Sequence, residues 1–327
     1  MNGFVMGLDA GSSKSHLALF DLSGARIDFV PWGPLNHENM DGGFEQLERE
    51  MRALVALALK RNKLSIEGLV RGVFGMSGAD TARQRASIRA ICGRLGVKHP
   101  LVVNDAYLPI KAVSPTGCGI GAINGSGCTV AGIGVGSVML QIGGCGGLTC
   151  DMGGGGHLGE VVAGTVYASL FKRGAQTLLC PMLKRRLGVT RDEDFLDALI
   201  EQLDAGTLML SEMGQMLFEA ADRGDAVSLQ LLEATGEDSA RAIVGLLDRL
   251  PFPAGEPVDV ALAGSVYVKG SNPALVDALK RKATSLAGDR PLRFTVTDHP
   301  PVMGAIVWAL TDYLPAERAI ERVGAQL

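Results

Sequence analysis

The sequence predicts an α/β protein in which a mixed β-sheet flanked by helices is built twice, with a cleft between the two copies. Three observations predict it. Short apolar runs alternate with amphipathic segments at helical spacing. The order strand, strand, strand, helix, strand, helix, strand, helix fills the first third and restarts near residue 119. Each half opens on a hairpin, over residues 5–20 and 119–133, whose loop is rich in Gly and Ser. At 327 residues, a division into domains at 1–114 and 115–310 follows.

The elements are expected as follows. Residues 3–33 hold three strands turning near Gly11 and Ser23-Gly24, followed by a polar loop over 34–39. From 43 to 60, Phe44, Leu47, Met51, Leu54, Val55 and Ala58 recur at helical spacing. A buried strand over 69–76 ends at Ser77-Gly78-Ala79-Asp80, and an amphipathic helix over 81–95 follows. The strand 101–103 ends at Asn104-Asp105, with a helix to 113. The second half has strands over 119–123, 129–133 and 138–142, then a long helical region over 159–250. A strand over 258–263 ends at Gly264-Ser265. Helix 273–287, strand 292–296 and helix 301–310 complete it. Met209–216 is expected to pack in a core, and Asp80 to cap the helix at Thr81.

Composition narrows the function. Hydrophobic residues make up 47% of the chain, enough for two buried cores. The net charge of −4, with no basic cluster, argues against nucleic acid and anionic membrane as partners. No apolar run spans a bilayer without a Gly or a charge. The first residues show no basic stretch or cleavage site, so a cytoplasmic location is expected. The six cysteines form no C-x-x-C pair, so they are expected to be reduced thiols rather than zinc ligands.

Four loops follow apolar strands: Asp9 to Ser15, Asn104-Asp105, Asn124 to Gly127, and Gly264-Ser265. Ligands collect at such strand ends. In the first loop, Gly11, Ser12, Ser13, Lys14 and Ser15 can offer backbone and side-chain donors to phosphate oxygens, and Asp9 can hold a hydrated Mg²⁺. Asn124, Gly125, Ser126 and Gly127 form the facing loop. Gly264 and Ser265 allow a base or ribose close to the backbone.

These loops resemble those of the actin-like ATPase and sugar-kinase superfamily, and within it the N-acetylglucosamine kinase and BadF-type ATPase family. Leu8-Asp9-Ala10-Gly11-Ser12-Ser13-Lys14-Ser15 is similar to the first phosphate loop. Met76-Ser77-Gly78-Ala79-Asp80 is similar to a strand-end S-G-A/G-D signature, and Asn104-Asp105-Ala106 to the catalytic N/T-D-A. Asn124-Gly125-Ser126-Gly127 resembles the second phosphate loop, S-G-T-G, and Gly264-Ser265-Val266 the adenosine motif. The resemblance implies a duplicated ribonuclease H-like fold, with a C-terminal helix over about 311–327 packing back on the first domain. It also implies ATP and Mg²⁺ as cofactors, a sugar substrate and a homodimer. It gives Asp105 the role of catalytic base, and makes Asn36, Ser77, Gly78, Asp105 and Asp151 sugar-binding residues.

The segment from Gly143 to Gly154 aligns without a gap to the amino-sugar kinases' G-G-W-G-H-x-x-G-D-E-G-S, with Asp151 on the sugar-binding Asp. Cys145 replaces the Trp, Gly147 the His and Cys150 a Gly, while Met152-Gly153-Gly154 replaces Glu-Gly-Ser. These departures leave the sugar open. Asp151-Met152-Gly153-Gly154-Gly155 is also similar to a branch with D-W-G-G-G.

A kinase needs a base, Mg²⁺ and donors around the transferred phosphoryl group. Asp105 precedes a helix, whose N-terminus favours the ionised form that a base requires; Asp at such a place also serves as a plain helix cap. The second reading is a BadF-type ATPase that activates a partner enzyme, with Cys128, Cys145 and Cys150 as candidate iron–sulfur ligands. A third is a sugar sensor without catalysis.

Overall fold

The structure, a computed structural model, describes residues 3–327. The first half contains β1 (Phe4–Ala10), β2 (Ser15–Asp21), β3 (Arg26–Trp32), α1 (Gly43–Arg61), β4 (Leu69–Met76), α2 (Ala82–Arg94), β5 (Leu101–Val103) and α3 (Leu108–Val113). The second contains β6 (Gly119–Asn124), β7 (Cys128–Ile133), β8 (Met139–Gly143) and five helices: α4 (Gly155–Leu170), α5 (Leu179–Leu187), α6 (Phe195–Asp204), α7 (Leu210–Asp222) and α8 (Ala226–Leu247). Then come β9 (Val258–Ala263), α9 (Ser265–Lys269), α10 (Ala274–Ala287), β10 (Leu292–Val296), α11 (Val302–Leu310) and α12 (Ala316–Gly324).

Two five-stranded sheets result, ordered β3-β2-β1-β4-β5 and β10-β9-β6-β7-β8. Counted from each half's own start, the order is the same. In both, the first three strands pair antiparallel and the last two add in parallel. The expected duplicated α/β fold of two domains is present. β1 and β9 are buried at every position, which is why they read as unbroken apolar runs rather than alternating ones.

The expected helical stretch over 159–250 is five separate helices, and the first begins earlier, at Gly155. Gly154 precedes it with φ +90°, a conformation glycine adopts readily. No helix among the described residues is long and apolar enough to cross a membrane.

The halves are joined by exchanged helices. α3 packs on β6 and β9, whereas α11 packs on β1, β4 and α3. Val5, Val73, Leu108, Ile306 and Val323 share one core between the sheets. Packing on the first sheet thus begins at Val302, earlier than the expected return near 311. α12 follows onto the turn between β2 and β3, where Gln326 Nε2 donates to Gly24 O at 2.8 Å.

Candidate active site

The strand ends of both sheets open into one cleft with two chambers. One, of about 650 Å³, is lined by the loops after β1, β4, β5, β6, β9 and β10. The other, of about 1040 Å³, lies between α4, α7 and α9 and is walled by Leu208, Leu210, Phe218 and Val266. Ser13, Gly125, Ser126, Ser265 and Lys269 line both.

The two glycine–serine loops meet where the chambers join: Ser13 Oγ and Ser126 Oγ are 2.6 Å apart. The first loop is pinched by Gly11 N–H donating to Lys14 O at 3.1 Å, and a Cβ on Gly11 would lie 2.7 Å from that oxygen. Ser12 Oγ reaches Ser77 Oγ at 2.9 Å across β1 and β4. Asn36 Nδ2 donates to both hydroxyls, at 3.0 and 3.3 Å, while its Oδ1 accepts Glu38 N–H at 3.0 Å. Asn36 therefore organises this wall of the chamber, with its side-chain amide already engaged. Ser77 and Gly78 line the same chamber.

Two expected loop residues do not face the cleft. Ser15 is fully buried, and its hydroxyl has no partner and lies outside the chamber lining. Asn124 is also fully buried, and its Oδ1 accepts Gly154 N–H at 2.7 Å. Its role is to hold the second loop against the start of α4.

That contact accounts for Gly153 and Gly154. A Cβ on Gly153 would lie 2.7 Å from Cys128 Sγ, and one on Gly154 would lie 2.6 Å from Ser126 O. Gly155 N–H donates to Gly125 O at 2.8 Å. The run Gly153 to Gly156 lies flush under the second loop. It brings the N-terminus of the 16-residue α4, with Gly155 and Gly156, to the chamber wall, where the helix-start amides after Gly155, whose own N–H is engaged by Gly125 O, favour an anion. The similarity of Asp151-Met152-Gly153-Gly154-Gly155 to D-W-G-G-G did not reveal this role.

Asp105 and Asp80 both line the 650 Å³ chamber. Neither caps a helix. Asn104 Oδ1 accepts Ala106 N–H at 2.9 Å and so takes the capping place that Asp105 would otherwise fill. Thr81 heads α2 with a reciprocal capping box to Gln84, so the expected cap role of Asp80 is corrected. Asp80 Oδ1 instead accepts Gln141 Nε2 at 2.6 Å and Asn104 Nδ2 at 3.0 Å.

The Asp105 carboxyl is pushed up to about 8 by burial and then by the Asp9 and Asp80 carboxylates. Amides at the helix start pull it down, but less. The expectation of a helix-favoured ionised form is thus reversed in the ligand-free protein. Burial also raises Asp80, with Glu38 adding to the effect against the Gln141 bond.

Asp9 is buried at the end of β1, with His16 Nδ1 at 3.8 Å from its Oδ2. No N–H or O–H among the described residues donates to it, so its oxygens suit the water shell of a Mg²⁺ ion. Asp151 lies outside both linings: its Oδ2 accepts Gly144 and Gly146 N–H, each at 2.9 Å, and holds its own loop. Gly264, at φ +97°, backs against Asn124, and Ser265 faces the chambers. Met213 is core, but Met209 is largely exposed on the large chamber, unlike the core role expected for it. Thr297 and Asp298 also line the cleft and were missed. They follow β10 as Asn104-Asp105 follows β5, so comparing the two halves strand by strand would have found them.

No protein-family model and no curated protein matches the chain. Solved structures match it over nearly its whole length. A presumptive N-acetylglucosamine kinase from Chromobacterium violaceum is 18% identical, with a TM-score of 0.68 over 93% of this chain and 97% of that one. A second, from Porphyromonas gingivalis, is 17% identical, with a TM-score of 0.66 over 95% and 100%. The chain shares the fold of these two proteins. A ROK family glucokinase from Streptomyces griseus, solved with glucose and AMPPNP, shares the sugar-kinase fold at 15% identity and a TM-score of 0.58, over 94% and 100%. At these identities the likeness is one of fold, and activity is argued from the site.

Proposed function

We propose that this protein is an ATP-dependent kinase of a sugar or amino sugar. The observation that carries the reading is the pair of opposed glycine–serine loops, touching at Ser13 and Ser126 between an apolar chamber and a carboxylate-bearing one. The adenosine would occupy the apolar chamber beside Phe218 and Val266. Phosphates would lie between the loops, near Lys14, Lys269 and the start of α4. Mg²⁺, held through water by Asp9, would neutralise phosphate charge when bound. Asp105 removes the proton from the acceptor hydroxyl, and the Ser12–Ser77–Asn36 network fixes the wall on which the acceptor rests.

The test is ADP release from Mg–ATP across a panel of hexoses and amino sugars, with a no-sugar control. Strong stimulation by a sugar is expected. Steady hydrolysis indifferent to every sugar would move the assignment to an ATPase that serves a partner.

The electrostatics add a pH test. A base works deprotonated, so kcat/KM rises with pH through the Asp105 pKa, about 8 in the ligand-free protein. Asp80→Asn removes one of the carboxylates that raise it. The acid limb is then expected to move to lower pH, whatever happens to the plateau. A limb left in place would mean that Asp105 is not the titrating base.

A further inference from the structure

Cys145 and Cys150 lie on the glycine-rich loop that follows β8, and both are exposed, whereas Cys92 and Cys180 are buried. Cys128 is screened: burial pushes its thiol up to about 12, and a Cβ on Gly153 would lie 2.7 Å from its Sγ. Cys145 and Cys150 are five positions apart, but the loop doubles back between them. Asp151, next to Cys150, accepts with Oδ2 from Gly144 N–H and Gly146 N–H, each at 2.9 Å, and so grips the backbone on both sides of Cys145. Asp151 N–H in turn donates to Gly146 O at 3.1 Å. Cys145 N–H donates to Thr149 Oγ1 at 3.1 Å, one residue before Cys150. These bonds fold the segment into a closed turn with the two thiols at its ends.

The turn has room to adjust, since no heavy atom lies within 4 Å of a Cβ built on Gly146 or Gly147. Cys150 sits at φ +57°, a left-handed conformation that is costly for a residue with a Cβ. Glycine would hold that place without strain, so what Cys150 adds to the position is its thiol. Among the described residues, no group of three His, Cys, Asp or Glu side chains could hold a metal ion. The chemistry open to the two thiols is therefore that of a pair.

We propose that Cys145 and Cys150 form a reversible dithiol, which a small disulfide R–S–S–R closes to a disulfide within the loop. The step is thiol–disulfide exchange. One Cys thiolate attacks a sulfur of the reagent, its S–S bond breaks, and RS⁻ leaves and takes up the proton released by that thiol. The other Cys thiolate then attacks the protein sulfur of the mixed disulfide and expels the second RS⁻. The cysteines lose two electrons and two protons, and the reagent is reduced to two RSH. So short a ring costs little entropy to close, so closure outruns the arrival of a second RS group. The ring would fix the rim of the chamber of about 650 Å³: Gly144 lines it, and a Cβ on Gly144 would lie 2.5 Å from Asp80 Oδ1.

The experiment treats the reduced full chain with 2-hydroxyethyl disulfide, blocks the remaining thiols with N-ethylmaleimide, and reads the masses of the chain and its peptides. Burial, then Asp80, Glu38 and Asp151, raise the Cys145 thiol, so the reaction is run at about pH 9 to form thiolate. In the native protein, two of the six cysteines, Cys145 and Cys150, should carry neither maleimide nor mercaptoethanol. The protein should run as single chains on a non-reducing gel, and dithiothreitol should restore both thiols. Cys145→Ser and Cys150→Gly are the variants, and the second is expected to fold because glycine suits the backbone there. In each, the remaining cysteine of the pair should keep a mercaptoethanol adduct and form no disulfide. Separate adducts on Cys145 and Cys150 in the native protein, or chains joined to one another, overturn the proposal. So does a disulfide that still forms in both variants.

Discussion

Asp105→Asn is expected to lower sugar-dependent turnover by about a thousandfold, within the usual range for losing a general base, while ATP affinity changes little. The proposed nucleotide contacts lie on other elements: Ser13 after β1, Ser126 after β6, and Ser265 and Lys269 on α9. The same change is expected to stabilise the protein at high pH. Burial and the Asp9 and Asp80 carboxylates raise the Asp105 carboxyl from 3.8 to about 8. Between those values the native state keeps a proton that the unfolded chain has lost, so stability falls as pH rises through the window. The penalty is absent below about pH 4 and complete above about pH 8. An asparagine is free of it, so the Tm gain should be nil in acid and grow through neutrality. Thermal melts of both proteins across this range test it. A variant less stable at every pH would mean that the carboxylate is a structural partner. Residues poised for chemistry are often held at such a cost to stability.

The central strands were legible because burial on both faces makes them near-continuous apolar runs, and the edge strand over 292–296 because Leu, Arg, Phe, Thr and Val alternate along it. The intervals 69–76, 101–103, 258–263 and 292–296 need no adjustment. Four strand-end loops placed the cleft for the same reason. What the sequence hid was which of two neighbouring residues turns inward. Asn104 caps and Asp105 lines the chamber; Thr81 caps and Asp80 lines the chamber. Both members of each pair are good caps by type, so only the path of the backbone decides. Ser15 is already in a strand, where successive side chains alternate between faces, and it falls on the closed one. Asp151 aligned well with a sugar ligand, yet two backbone amides seven and five residues upstream engage it. Contacts of that kind depend on how a glycine loop folds over itself, and spacing does not reveal it.

Gly304→Ala is expected to be the most damaging small substitution in the chain. Gly304 lies in α11 where that helix crosses the start of α3, and an added Cβ would overlap the carbonyl of Leu108. Backbone on a helix cannot swing aside as a flexible side chain can. The Leu108 side chain already fills the space over Gly75, and the Ala106 carbonyl abuts Gly121. The segment just after Asp105 is therefore enclosed by β4, β6 and α11, each giving way with a glycine. One methyl group must push apart the pair of helices that join the two sheets, at a cost of about 3 kcal/mol or more. Gly93→Ala is the control: Gly93 sits in α2 with open space where a Cβ would go, and a gain of about 0.5–1 kcal/mol is expected from helix propensity. Denaturant unfolding of the two variants measures both. At temperatures where Gly304→Ala is still folded, its kcat should fall further than its ATP affinity, because the displaced segment carries the base and not the nucleotide loops. A variant as stable as the parent would mean that α3 and α11 are free to slide, and that the base is not held by this packing.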